Sequence, residues 1–400
     1  MARQINLQEK LYLFFNLSLD NDFRRLPLRF RLKVLKEFFG QKINKIGNRF
    51  VLNCFIPPYP SLAFRRFINA LINHKDSITY LDMAVTDKCN YNCSFCSNKY
   101  NFKRKEMPLE TIKKIIIELQ KKRLSQIAFT GGEPFLREDL PEIIRFLGDK
   151  TISYVYTSGQ GFNEKKAKEL KKAGLFGIAV SLDSHKENIH NSLRGNKKAF
   201  KQALKSVGLS KKFGFYTIIQ TIVRKENLSE LEEFLKFSKK LGADEIRVLE
   251  LFPAGNLLGK KEVIFNEKER NELIKMHKLS RNRKDLPKVT SMAYIDSKFF
   301  WNCAAGYTFF YIGSDGRLFP CDMVPLSFGN LQKEDFETVW KRIRKIFSKP
   351  HENCIAVEYA EKIAKYRNKK ISFRKSFEIC KNHCPKANSD YFNFLPKSNQ

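Results

Sequence analysis

The sequence lacks any uninterrupted apolar run near the roughly 18 residues that a bilayer-spanning helix needs. No spanning segment is therefore expected in these 400 residues. The start, Met1 to Lys10, is polar and carries Glu9, so it has neither the basic beginning nor the apolar block of a secretory signal. The cytoplasm is the expected compartment. There, nine cysteines point to metal ligands or reactive thiols rather than disulfides. Histidine is scarce: the six His show no shared metal spacing. Acidic residues are scarce too, with 42 Asp plus Glu against 74 Lys plus Arg, for a net charge of +32. Such an excess attracts nucleic acid, an anionic membrane surface or an acidic peptide, and says nothing about fold. No RNA-binding module is visible, which weighs against nucleic acid. Apolar residues reach 42%, enough for a large core.

Cysteine is also missing between Cys96 and Cys303, and this gap divides the chain into three. Residues 1–75 carry fourteen basic and four acidic side chains among apolar ones and read as a basic amphipathic helical extension. Such a helix suits a membrane surface or an acidic partner, or packs on the main domain with its charges solvated. Ile56-Pro57-Pro58-Tyr59-Pro60 cannot be helical and reads as an extended connector. Cys54 stands alone and reads as a core residue.

Residues 76–260 alternate strand and helix. Strands are predicted at Ile78–Val85, Gln126–Thr130, Ser153–Thr157, Gly177–Leu182, Tyr216–Val223 and Glu245–Glu250. Helices are predicted at Pro108–Lys122, at Glu164–Ala173 between Asn163 and Gly174, and at Leu231–Leu241 with a capping box from Ser229 to Glu232. Six such units predict an α/β fold, a partial (β/α)6 barrel of parallel strands. From 285 to 400 the pattern changes to a hairpin, Tyr307–Ile312 and Arg317–Phe319 joined through Asp315-Gly316, and a helix at Phe336–Phe347. This reads as a small C-terminal hairpin-and-helix domain.

Cys89-x3-Cys93-x2-Cys96 follows the first strand in a polar loop. Three thiolates this close suit a [4Fe–4S] cube with one iron left open, or a zinc site completed by another ligand. No His lies in the loop to favour zinc.

With aromatic Phe95 before its last cysteine, this motif resembles the signature of the radical S-adenosylmethionine (radical SAM) superfamily. Gly131-Gly132-Glu133-Pro134 is similar to the family's GGEP segment, which contacts the amino group of the bound methionine. Its exposed carbonyls, with Glu133, would hold that ammonium. Val180-Ser181-Leu182-Asp183 with Arg194-Gly195 resembles the fourth-strand segment. There, Ser181 would meet the ribose or carboxylate and Arg194 would pair with the carboxylate. Thr157-Ser158-Gly159 stands where relatives often have Thr-Asn-Gly, and the replaced Asn assigns no role to Ser158. Leu249 to Gly255 resembles the closing segment near adenine. The resemblance implies SAM bound at a [4Fe–4S] cluster, reductive cleavage to a 5′-deoxyadenosyl radical, and hydrogen abstraction from a substrate carbon. It also implies a one-electron donor such as ferredoxin or flavodoxin.

Cys303-x17-Cys321, with Gly316 before Cys321, resembles the opening of the SPASM or shorter Twitch auxiliary domain, and Cys380-x3-Cys384 would close it. Five cysteines imply one auxiliary [4Fe–4S] cluster, on Cys303, Cys321, Cys380 and Cys384 before Cys354, the fifth candidate ligand. His383 is an alternative ligand and a zinc knuckle the alternative site. Relatives of this kind modify peptides and proteins, which puts a peptide or protein substrate first. The basic N-terminus puts a lipid or isoprenoid at the membrane surface second. A non-catalytic iron–sulfur protein is the alternative of another class, though it has no need of a SAM cradle.

Overall fold

A computed structural model describes residues 1–73, 77–98, 104–366, 369–382 and 388–395. The N-terminal segment runs β1 (Arg3–Gln4), α1 (Leu7–Leu19), α2 (Asn21–Arg24), α3 (Leu28–Phe39), β2 (Asn44–Ile46), β3 (Arg49–Val51) and α4 (Leu62–Ile72). It is less purely helical than its composition suggests, because β1, β2 and β3 form a small antiparallel sheet. Asn6 begins α1 with a capping box to Glu9. The segment is fastened to the rest of the chain by buried polar bonds. Lys42 Nζ donates to the carbonyls of Arg283 and Leu286 at 2.7 Å each, and Lys288 Nζ donates to the Val51 carbonyl at 2.9 Å.

The main body runs β4 (Tyr80–Thr86), α5 (Leu109–Lys121), β5 (Gln126–Gly131), α6 (Leu140–Leu147), β6 (Ile152–Thr157), α7 (Glu164–Ala173), β7 (Gly177–Ser181), α8 (Glu187–Arg194), α9 (Ala199–Lys212), β8 (Tyr216–Val223), α10 (Leu231–Lys240) and β9 (Glu245–Glu250). Strands β4 to β9 lie side by side in sequence order, all parallel, as the repeated strand–helix pattern requires. α7 has the predicted bounds, with Asn163 capping its start and Gly174 left-handed at its end. α10 starts as expected but without the Ser229 cap: Lys225–Glu230 forms a 3₁₀ turn that leads into the helix.

The remaining elements are α11 (Glu267–Ser280), β10 (Val289–Ser291), α12 (Met292–Ile295), β11 (Phe309–Ile312), β12 (Arg317–Phe319), β13 (Gly329–Asn330), α13 (Phe336–Ile346), α14 (Ile355–Glu358), α15 (Ala360–Ala364), α16 (Phe373–Cys380) and α17 (Asp390–Asn393). The C-terminal hairpin does not stand apart. β11 pairs parallel with β4, so one ten-stranded sheet runs β10-β9-β8-β7-β6-β5-β4-β11-β12-β13. That pairing brings the C-terminal cysteines onto the edge of the strand that leads to the Cys89 loop. No helix among the described residues is long and apolar enough to cross a membrane.

Two buried histidines make the fold acid-sensitive. Burial lowers His190 to about 4 and His277 to about 3, and Tyr294 stacks on His277 at 4.2 Å. Both are neutral when folded and take up a proton when unfolded below the ordinary histidine value near 6.5. Stability is therefore full above pH ~6.5 and falls as the pH drops from there toward the folded values. One pH unit below 6.5 costs about 1.4 kcal/mol per residue, or about 3 kcal/mol for the pair. Urea unfolding at pH 7.5 and 5.5 should show that loss. A flat profile would contradict it.

Candidate active site

A cavity of about 520 Å³ is lined by the carboxyl ends of β5, β6 and β7 and reaches back to Tyr80 at the start of β4. Cys89, Cys93 and Cys96 line one part of its wall, and Cys303, Cys321 and Cys354 another. Alternate residues of the strands face it: Tyr80 and Asp82 on β4, Tyr156 on β6, Gln220 and Ile222 on β8, Arg247 and Leu249 on β9.

The Cys89 loop is held from three places, mostly by backbone. Gly132 N–H donates to the Thr86 carbonyl and Glu133 N–H to the Lys88 carbonyl, both at 2.7 Å. A Cβ on Gly131 would lie 2.2 Å from the Thr86 oxygen and one on Gly132 2.3 Å from the Lys88 oxygen, so only glycine permits this approach. The end of α8 supplies two carbonyls, Leu193 to Ser94 N–H at 3.0 Å and Arg194 to Asn92 N–H at 3.2 Å. Behind β9, Gly255 packs where a Cβ would sit 2.1 Å from the Cys96 oxygen. Asn256 then donates through its backbone to Cys96 and through its side chain to the Cys93 carbonyl, at 3.0 and 2.9 Å. The Leu249–Gly255 segment thus leads straight into a brace for the cysteine loop.

Of the seven residues expected to seat SAM, five line the cavity and two do not. Gly131, Gly132, Ser181, Arg194 and Phe95 line the cavity. Glu133 and Pro134 stand behind that wall. The Glu133 carboxylate is fully buried and accepts from Thr157 Oγ1, Ser158 N and Ser158 Oγ at 2.7, 2.8 and 2.6 Å, and from Phe135 N at 3.2 Å. Burial raises its pKa, against those bonds. Its partners are therefore internal, and it positions the β5 and β6 ends rather than presenting itself to an ammonium. Ser158, to which the sequence assigned no role, is its main partner. Arg194 is likewise engaged: its Nε meets Asp183 Oδ2 at 2.7 Å, and its guanidinium lies 5.1 Å over the Phe95 ring and 3.9 Å from Cys93 Sγ. Burial works against its charge, but Asp183 outweighs that and keeps it protonated. Replacing Glu133 with Gln turns an amide N–H₂ toward these donors. We expect a loss of about 2 kcal/mol in urea unfolding, whereas unchanged stability would remove the positioning role.

The auxiliary cysteines group differently from the expected set. Cys303 is buried, and its backbone bridges to His351. Cys354, at the start of α14, donates its S–H to Cys303 and lowers that thiol below its ordinary value, while Cys321 lies close enough to raise Cys354 further. The fifth cysteine therefore joins Cys303 and Cys321. Cys380 is buried against Tyr359, and burial pushes it up to about 12; no other cysteine among the described residues perturbs it. Cys384 and His383 lie outside the described residues.

Between the two cysteine groups is a buried polar cluster that the sequence reading missed. Tyr80 and Tyr156 share a hydrogen bond, Arg247 donates to Tyr156, and the Arg247 guanidinium lies 4.6 Å over Phe55. Burial, and the nearby Asp322, raise Asp82 well above the carboxylate range. The signal was in Glu245-Ile-Arg247: two charges two positions apart, flanking an apolar residue, share one face of the strand.

The donor set of three thiols and no His, a glycine cradle closed against their loop, and a cavity at the strand ends define an α/β-barrel enzyme built around an iron–sulfur cluster and a small bound cofactor. A family model described as the radical SAM superfamily matches residues 83–238, and one described as an iron-sulfur cluster-binding domain, SPASM, matches residues 303–385. The chain belongs to the radical SAM superfamily and carries a C-terminal SPASM domain, and its cofactors are a [4Fe–4S] cluster with SAM plus auxiliary iron–sulfur. Among solved structures, Streptococcus suis SuiB bound to precursor peptide SuiA is similar, at 17% identity and a TM-score of 0.60 over 79% of each chain. Native anSMEcpe with bound AdoMet is similar at 19% identity and 0.56, over 78% of this chain and 94% of that one. These likenesses are of fold.

Proposed function

We propose that this enzyme abstracts hydrogen from a carbon of an apolar-chain substrate, a lipid or isoprenoid. One observation carries the reading. Twelve cavity-lining residues come from between Leu17 and Leu71, including Phe23, Phe30, Phe38 and Phe64, and every one is apolar. A peptide backbone there would leave amides unpaired at about 1–3 kcal/mol each. A hydrocarbon chain gains about 0.8 kcal/mol per buried CH₂.

Cys89, Cys93 and Cys96 would hold the cube, and Cys303, Cys321 and Cys354 would serve the auxiliary iron–sulfur. The cluster, when bound, supplies the electron that cleaves SAM to a 5′-deoxyadenosyl radical. The chain's own residues do the rest. Gly131, Gly132 and Ser181 shape the cofactor's seat. Arg194 places positive charge beside Cys93. The apolar wall orients the chain and excludes water. A ferredoxin or flavodoxin is the expected donor, and its acidic surface would suit a chain of net charge +32. A peptide or protein substrate is the second reading, favoured by SuiB with its precursor peptide.

The test is anaerobic incubation with dithionite, SAM and phosphatidylglycerol or polyprenol deuterated along the chain. Deuterium should appear in 5′-deoxyadenosine. Product formed without label from either lipid would overturn the substrate class.

A further inference from the structure

The outer face of the N-terminal segment carries an apolar stripe of its own. Fifteen large hydrophobic side chains are exposed among the described residues, and ten belong to residues 1–62. On α1, Leu7, Leu11, Phe15 and Leu19 recur every fourth position and are 64, 53, 65 and 55% exposed. On α3, Leu28 and Leu32 are 59 and 57% exposed, and Phe39 continues the same stripe. The two helices are neighbours: Phe14 and Phe39 meet at 5.4 Å, and Lys10 Nζ donates to the Phe39 carbonyl at 2.9 Å. A soluble surface rarely gathers this much apolar area without a partner.

Charge identifies the partner. The four acidic residues of the segment are engaged within the chain. Glu9 pairs with Arg3 and Lys45, Asp20 caps α2, Asp22 pairs with Arg25 and Arg65, and Glu37 meets Arg281 and Tyr294. Arg24, Arg29 and Lys36 stand exposed with no carboxylate partner among the described residues. Lys36 falls on the Leu28–Leu32–Phe39 stripe, and Arg29 flanks it. Apolar side chains flanked by cations that have no carboxylate partner among the described residues fit the interface of an anionic bilayer, where the former enter the acyl boundary and the latter meet phosphate. We infer that α1 and α3 dock this enzyme on an anionic membrane surface. The cavity lies one helix layer beneath, since Leu17, Phe30, Val34 and Phe38 line it from these same helices. Docking itself does not depend on the substrate class. That it delivers the substrate rests on the lipid reading above.

Sedimentation of the full holo chain with vesicles of phosphatidylcholine and phosphatidylglycerol tests this. The chain should pellet with these and far less with phosphatidylcholine alone, and about 1 M salt should weaken the binding. Phe15→Glu with Leu32→Glu should cut pelleting by roughly tenfold or more. Iron content and SAM cleavage should stay unchanged, because neither residue lines the cavity. Failure of the wild type to pellet, or equal pelleting of variant and wild type, overturns the inference. So does a dimer in solution that these substitutions dissolve, which would make the face an interface between copies.

Discussion

Cys93→Ala should reduce 5′-deoxyadenosine formation to background while leaving the fold intact. Cys93 is only partly buried, so losing its sulfur opens little core. Its chemical loss is large, because a cube with one iron left open for SAM depends on all three loop thiolates. Arg194, 3.9 Å from Cys93 Sγ, would lose the negative charge it faces and keep Asp183. Iron after anaerobic loading should fall from about eight per chain to about four, the auxiliary site remaining. The checks are iron and sulfide analysis, product chromatography and a melting curve. Wild-type product from the variant would show that the loop is not the cluster site. A collapsed melting curve would mean that Cys93 serves packing instead.

Val34→Trp should separate cofactor chemistry from substrate chemistry. Val34 is half-buried on α3 and lines the cavity far along the chain from the cysteine loop. An indole there takes the room of about four methylenes. At about 0.8 kcal/mol each, that is about 3 kcal/mol, or roughly a hundredfold in turnover of a deuterated lipid. SAM cleavage without substrate should stay within about twofold, since no SAM-cradle residue is touched. Parallel loss of both activities would mean that the N-terminal wall serves the fold alone. No loss of either would mean that the substrate does not use this chamber.

The barrel was legible because its strands are short Ile, Val and Tyr runs between amphipathic helices. β8 and β9 have their predicted bounds: Gly214 precedes β8, a charged Arg224-Lys225-Glu226 run ends it, and Gly242, Asp244 and Pro253 bracket β9. β1, β2 and β3 were not legible: strands of two or three residues such as Asn44-Lys45-Ile46 have no alternation to read. Nor was the pairing of β11 with β4, a register between segments more than two hundred residues apart. The Cys89 loop and glycine pair were visible as motifs, but motifs do not show what a side chain faces. Glu133 and Arg194 turned to Ser158 and Asp183, partners supplied by neighbouring strand ends. Spacing also favoured Cys380 over Cys354, whereas the chain path puts Cys354 beside Cys303. The apolar inner wall was hidden in a segment whose most visible property is its charge.

Electron–nuclear double resonance on the reduced holo chain, with SAM isotopically labelled in its amino nitrogen, tests the central claim most directly. A cluster on Cys89, Cys93 and Cys96 should show hyperfine coupling to that nitrogen, and Cys93→Ala should remove it. A reduced cluster with no such coupling, or a chain that takes up stoichiometric zinc and no iron, would contradict it.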